Sequence, residues 1–120
     1  MNNNRKYGLE ERTSKFGEDI INYCKKIPIN PINNPLITQL VKAGTSVGAN
    51  YSEADDAESK KDFRHKIGIV KKESRESKHF IRITIVAVPE LKEEEGVLKQ
   101  EAKELNLIFN SIFRKVKAIN

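Results

Sequence analysis

The four prolines of this chain fall in two short windows, Pro28 to Pro35 and Pro89. Proline has no amide donor and its ring clashes with the preceding turn, so it stays out of helix interiors. The three long proline-free stretches are therefore open to helix, and the apolar residues follow that period. From Leu9 to Ile27, Phe16, Ile20, Tyr23, Cys24 and Ile27 recur at helical spacing. The segment PINPINNP (residues 28–35) then reads as an extended linker, because each proline pushes its predecessor out of the α region. Asn34 suits an N-cap and Pro35 the first position of a second helix. Ile37, Leu40, Val41, Gly44, Val47, Gly48 and Tyr51 give that helix an inner face. The acidic run SEADDAESKK closes it and opens a third helix over Glu58–Val88, with carboxylates where a helix N-terminus favours them. After Pro89 a fourth helix starts among Glu90, Glu93, Glu94 and Glu95 and ends among Arg114, Lys115 and Lys117. Leu91, Leu98, Ala102, Leu105, Phe109, Ile112 and Val116 form its stripe, and Gly96 weakens its first turns. No β-alternation of useful length and no internal repeat interrupts the series. The expectation is an all-α, antiparallel up-and-down four-helix bundle over residues 9–119, preceded by a polar, flexible N-terminus over residues 1–8.

Composition narrows the class. A hydrophobic fraction of 38% with no Trp makes a modest core, and 32% charged residues leave narrow apolar seams. The single cysteine, Cys24, excludes an intrachain disulfide and falls on an apolar stripe, where a buried free thiol is expected. No stretch approaches the ~18 apolar residues of a membrane span, and the N-terminus lacks an apolar core of signal-peptide length. A cytoplasmic protein with no membrane partner is expected.

Charge is distributed unevenly. The net charge is +5, and residues 58–88 carry all of it, with nine Lys/Arg against four carboxylates. On a helix, Lys60, Arg64, Lys71, Arg75, Lys78 and Arg82 fall within a sector of about 60° and form a stripe about 33 Å long. A cationic rail of that length suits a polyanion, RNA or DNA, better than a small ligand. The competing reading is a solvated helix face rich in Lys and Arg.

The third helix also carries two apolar sectors. One holds Phe63, Ile67, Val70, Ile81, Ile85 and Val88; the other, about 120° away, holds Ile69, Phe80 and Ile83. A surface helix in a monomer needs one stripe. Two stripes suggest contact with another subunit, the alternative being one wide stripe in a small bundle. Gly44 and Gly48, four residues apart, leave one side of the second helix without side chains. Each costs about 1 kcal/mol against Ala, which a close neighbour could offset. With Ile69, Phe80 and Ile83 they are the expected oligomer contacts.

Candidate chemistry is sparse. Glu76 and His79 form E-x-x-H, and Asp62 and His65 a similar D-x-x-H. Both lie on one helix, about 21 Å apart, so they cannot share an ion within one chain. Neither a metal nor a cofactor is expected. Arg75 and His79 could face one phosphodiester, which leaves a metal-independent ribonuclease as the enzymatic alternative. No nucleophile–base grouping and no glycine-rich phosphate loop occurs. Glu73 and Glu76 border the second apolar sector, where a carboxylate needs a partner.

The stretch from Gln39 to Ser77 resembles the four-helix-bundle family of 23S rRNA intervening-sequence proteins. That family shows Q-x-x-R-A-A-x-S-I-x-x-N-I-A-E-G followed by a segment with aromatic, Ile and later Glu positions. Gln39, Ser46, Val47, Asn50 and Glu53 match the first part, and Phe63, Ile67, Ile69 and Glu76 the second. Lys42, Gly44, Tyr51 and Ala54 depart from it. The resemblance covers roughly residues 20–117. It implies an up-and-down bundle assembling as a cyclic homopentamer, with Gln39, Ser46, Asn50, Glu53 and Glu76 in structural roles. A related branch, the accessory proteins of diversity-generating retroelements, works with a reverse transcriptase and nucleic acid. Taken with the cationic rail of the third helix, the expectation is a non-enzymatic homo-oligomer that binds nucleic acid or acts as a scaffold, the candidate partners being RNA, DNA, a reverse transcriptase or another protein. A pure protein-interaction scaffold without nucleic-acid affinity is the first rival.

Overall fold

The computed structural model describes residues 2–116, with side chains from residue 8 onward. The described residues form four long helices, α1 (Asn2–Cys24), α2 (Asn33–Asp55), α3 (Lys60–Ala87) and α4 (Lys92–Lys115), with a 3₁₀ turn at Pro89–Leu91 and no strand. Helical backbone begins at Asn2, ahead of the expected Leu9, and α1 ends at Cys24 rather than Ile27. Its last turn tightens through Lys26 N–H to the Tyr23 carbonyl and Ile27 N–H to the Cys24 carbonyl, both 3.0 Å. Residues 117–119, assigned to the bundle from the sequence, lie outside the described residues.

Pro28 and Pro31 lie in the break between α1 and α2, and Pro89 opens the 3₁₀ turn, but α2 starts two residues early, so Pro35 is its third residue rather than its first and Asn34 is not its cap. The Asn30 side chain accepts from the N–H groups of Ile32 (3.0 Å) and Asn33 (2.7 Å), and its own N–H donates to the Asn34 side chain (3.1 Å). Buried Asn33 donates to the Pro28 carbonyl at 2.9 Å. The asparagines of the linker therefore satisfy one another's backbone and fix a tight turn. Ser59 caps α3 by accepting from Asp62 N–H at 3.0 Å.

On each helix one line of buried residues steps by alternating threes and fours. They run Thr13, Phe16, Ile20, Tyr23 on α1 and Leu40, Gly44, Val47, Tyr51, Ala54 on α2. On α3 they run Ile67, Val70, Ser74, Ser77, Ile81, Thr84, and on α4 Glu95, Leu98, Ala102, Leu105, Phe109. A 3.5-residue repeat keeps one seam facing inward only if the helices cross at a shallow angle, about 20°, in a left-handed bundle. Consecutive helices are neighbours, and α1 and α4, which close the bundle, touch less than any consecutive pair. Across the core, Tyr51 of α2 meets Phe109 of α4 (centroids 5.5 Å apart). Tyr23 of α1 meets Thr84 of α3 at 2.7 Å. Thr84 spends its proton on the Ile81 carbonyl, so Tyr23 is the donor of that pair.

Gly44 and Gly48 correct an expectation. They are not available as oligomer contacts, because α1 already occupies that surface. A Cβ on Gly44 would stand 2.8 Å from Cγ1 of Ile20, and one on Gly48 3.2 Å from the Thr13 carbonyl oxygen. The side-chain gap is the floor of the α1–α2 crossing. The opposite side, between α1 and α4, is a groove of about 1030 Å³. Arg12 bridges it, donating to both carboxylate oxygens of Glu101 (2.7 and 2.8 Å) and to Glu104 (2.8 Å).

Cys24 is buried, and burial pushes its thiol pKa up to about 11. At neutral pH it holds about a hundredfold less thiolate than an exposed cysteine. Alkylation by iodoacetamide at pH 7.5 should therefore be at least about a hundredfold slower in native than in urea-unfolded protein. Equal rates would place Cys24 at the surface.

Candidate nucleic-acid interface

The six rail cations divide into two groups. Lys60, Arg75, Lys78 and Arg82 are exposed, as are Lys61 and Lys72 beside them. Arg64 and Lys71 are instead half-buried against Phe113 of α4. The Arg64 guanidinium carbon lies 3.7 Å from the ring centroid and the Lys71 ammonium nitrogen 4.4 Å. The ring sits over Gly68, where a Cβ would stand 3.1 Å from it. Arg64 Nε is buried without a hydrogen-bond partner, its charge facing the ring's π cloud. Two members of the sequence stripe thus help fasten α4 to α3. Lys66 leaves the charged surface as well, paired with Glu53 at 2.6 Å; that hydrogen bond raises its pKa.

An open groove of about 750 Å³ crosses the outer face of α3. From α3 it receives Lys71, Lys72, Arg75, Glu76, His79 and Phe80. Gln39 of α2 closes one flank, and Asn106 and Asn110 of α4 the other. Asn106 is fixed there, donating to the Lys71 carbonyl at 2.8 Å. The groove holds three permanent cations against one carboxylate. The larger α1–α4 groove has Arg12, Lys15 and Lys92 against Asp19, Glu93, Glu101 and Glu104, so its field has no positive sign to offer a polyanion. Near the α3 groove Glu73 has a raised pKa, first from burial and then from repulsion by Glu76, with Lys72 and Lys42 pulling the other way.

The polar family-pattern residues form a strip along α2. Gln39, Ser46, Asn50 and Glu53 each precede by one residue a buried seam residue: Leu40, Val47, Tyr51 and Ala54. Ser46 donates to the Lys42 carbonyl (2.6 Å) and Asn50 to the Ser46 carbonyl (2.9 Å). Glu53 is an exposed ion-pair partner, and Glu76 lies in the groove. Of the remaining oligomer candidates, Ile69 and Ile83 are half-buried and Phe80 turns into the groove, its ring 5.1 Å from that of His79. Arg75 and His79 line one groove, as their spacing implied. Among the described residues no three His, Cys, Asp or Glu side chains could hold a metal ion, and no helix is long and apolar enough to cross a membrane. Sequence reasoning missed Lys72, Asn106, Asn110 and Phe113. The spacing of Asn106, Asn110 and Phe113 by four and three on one face of α4 was the available signal.

Comparison with known proteins gives a consistent picture. No curated protein matches the chain. A crystal structure of a protein of unknown function from the S23 ribosomal protein family of Bacteroides thetaiotaomicron shares 27% identity and superposes with a TM-score of 0.76, covering 88% of this chain and 97% of that one. The sequence model described as 23S rRNA-intervening sequence protein matches residues 5–115, nearly the whole chain. With four heptad-patterned helices in up-and-down order, this chain belongs to the 23S rRNA-intervening sequence protein family.

Proposed function

We propose that the protein is a non-enzymatic, cytoplasmic homo-oligomer that binds nucleic acid through the outer face of α3. The observation that carries this reading is the concentration of exposed Lys60, Lys61, Lys72, Arg75, Lys78 and Arg82 on one helix, whose outer face also bears a groove with three cations and one carboxylate. Lys and Arg on a helix face reach phosphates more readily than base edges, so binding is largely independent of sequence. Repetition of the face around an oligomer turns weak single contacts into avidity. A scaffold without nucleic-acid affinity needs no such concentration of charge.

The test is fluorescence anisotropy with labelled RNA and DNA across a salt series. Affinity should fall steeply with salt as counterions are released. Reversing Lys72, Arg75 and Lys78 to Glu should reduce binding at least about a hundredfold, since three phosphate contacts become repulsions, and leave melting unchanged. The same change of net charge at exposed Lys25, Lys92 and Lys103 should cost far less. Equal losses from both sets would show that net charge alone acts. No binding at low salt would favour the scaffold reading. Metal-independent RNA cleavage lost in His79→Ala would overturn the non-enzymatic one.

Oligomerisation is supported by apolar side chains the single chain leaves uncovered: Val86 is 79% exposed, Val97 72% and Leu107 57%. Burying such side chains is worth about 1.5–3 kcal/mol each. Light scattering should give a mass several times 13.7 kDa. A monomer at concentrations of tens of micromolar would refute it.

A further inference from the structure

We infer that the α3 groove takes single-stranded polynucleotide in preference to duplex, with bases on its rings and phosphates on its cations. This rests on the nucleic-acid reading proposed above and adds the form of the ligand.

The argument begins with what lies between the charges. A duplex presents phosphates outward and keeps its bases stacked inside, so a surface serving duplex alone needs cations and no rings. Here rings lie among the cations, His79 and Phe80 inside the groove and Phe113 of α4 beside it under Lys71. Arg64 and Lys71 bracket Phe113, Lys72 and Arg75 follow, and then His79 and Phe80. From Arg64 to Phe80 this covers about 24 Å of helix. Single-strand binders combine a basic groove with aromatic platforms, because every base has a π face and only an unstacked base can use it.

The geometry suits such use at both ends. The rings of His79 and Phe80 stand 5.1 Å apart at 74°, so a base lying on one face meets the edge of the other ring. At the Phe113 end, two cations already lie over or beside the ring, and an arginine stacked on an aromatic is itself a surface for a base. The flanks supply amides. The side-chain amides of Gln39 and Asn110 line the groove and make no hydrogen bond among the described residues, which leaves donors and acceptors for a base edge or a sugar hydroxyl. A rail made for phosphates alone would have no use for them.

The test compares a labelled uridine oligomer, a thymidine oligomer and a duplex of equal length by anisotropy, using the full chain. The single strands should bind at least about tenfold tighter than the duplex. Phe80→Leu and Phe113→Leu keep apolar volume and remove the rings. Each should weaken single-strand binding about tenfold and leave duplex binding unchanged. A strand carrying 2-aminopurine should change fluorescence on binding wild type and respond less to Phe80→Leu, a readout of stacking that lost stability would not imitate. Thermal melting of both variants controls for folding. Preference for RNA or DNA between the two strands identifies the sugar and supports the inference either way. Duplex bound as tightly as single strand, or ring variants with unchanged single-strand affinity, overturns it while leaving nucleic-acid binding intact. Failure to bind any of the three at low salt overturns the nucleic-acid reading itself, and this inference with it.

Discussion

Phe109→Ala should destabilise the bundle by about 3–5 kcal/mol, the usual cost of emptying a buried aromatic site. Phe109 is fully buried on the α4 seam, and its ring meets that of Tyr51 across the core. The pair is the direct tie between two helices that are not neighbours, so its loss opens a cavity at the centre. The flanking α4 residues Leu105 and Ala102 are themselves fully buried and cannot swing in without leaving gaps of their own. Small domains have only about 5–15 kcal/mol to lose. Urea denaturation at fixed protein concentration should show a large drop in midpoint with an unchanged slope. An unfolding free energy within about 1 kcal/mol of wild type would mean that Phe109 is not a core residue.

Two glycine substitutions should act in opposite directions. Gly44→Val should cost about 3 kcal/mol or more, the upper end of overpacking. Even the Cβ of the new side chain meets Ile20 Cγ1 at 2.8 Å and Cγ2 at 2.9 Å, and Ile20 is fully buried. Those atoms branch directly from a stiff Cβ, so the side chain cannot swing aside, and α1 must move. Gly96→Ala should instead stabilise by up to about 1 kcal/mol from helix propensity, because nothing lies within 4 Å of its added Cβ. Thermal melting of both variants checks the pair. Equal behaviour would show that Gly44 does not mark a close crossing of α1 and α2.

The helices were legible because their signals are local: prolines at the breaks, apolar residues at helical spacing and acidic run-ins. The seams were only half legible. A search for apolar residues passes over Ser74, Ser77, Thr84 and Glu95, yet all four are buried at seam positions. The three hydroxyls return their protons to their own helix, to the carbonyls of Lys71, Glu73 and Ile81. With their protons so placed they fit the seam, Thr84 also accepting from Tyr23, and spacing predicts their burial where hydropathy does not. Among the described residues Glu95 has Lys99, 3.2 Å away, as its charge partner. Charge gave the α3 rail, but the diversion of Arg64 and Lys71 depends on Phe113, more than forty residues away in sequence. In the same way, the gap at Gly44 and Gly48 was visible, and the helix that fills it was not.

The thin α1–α4 side bears on how fast such a chain can find its structure. It is the one side that would join elements from opposite ends of the sequence, and three ion pairs cross it, Arg12 with Glu101 and Glu104 and Lys26 with Glu94. The extensive contacts are all between consecutive helices. Each can form by closing one short turn, with little entropy lost before packing begins to compensate. Chains built this way fold on the microsecond-to-millisecond scale. Nucleation can start at the α2–α3 hairpin, the most extensive of the contacts, with α1 and α4 docking independently from either end.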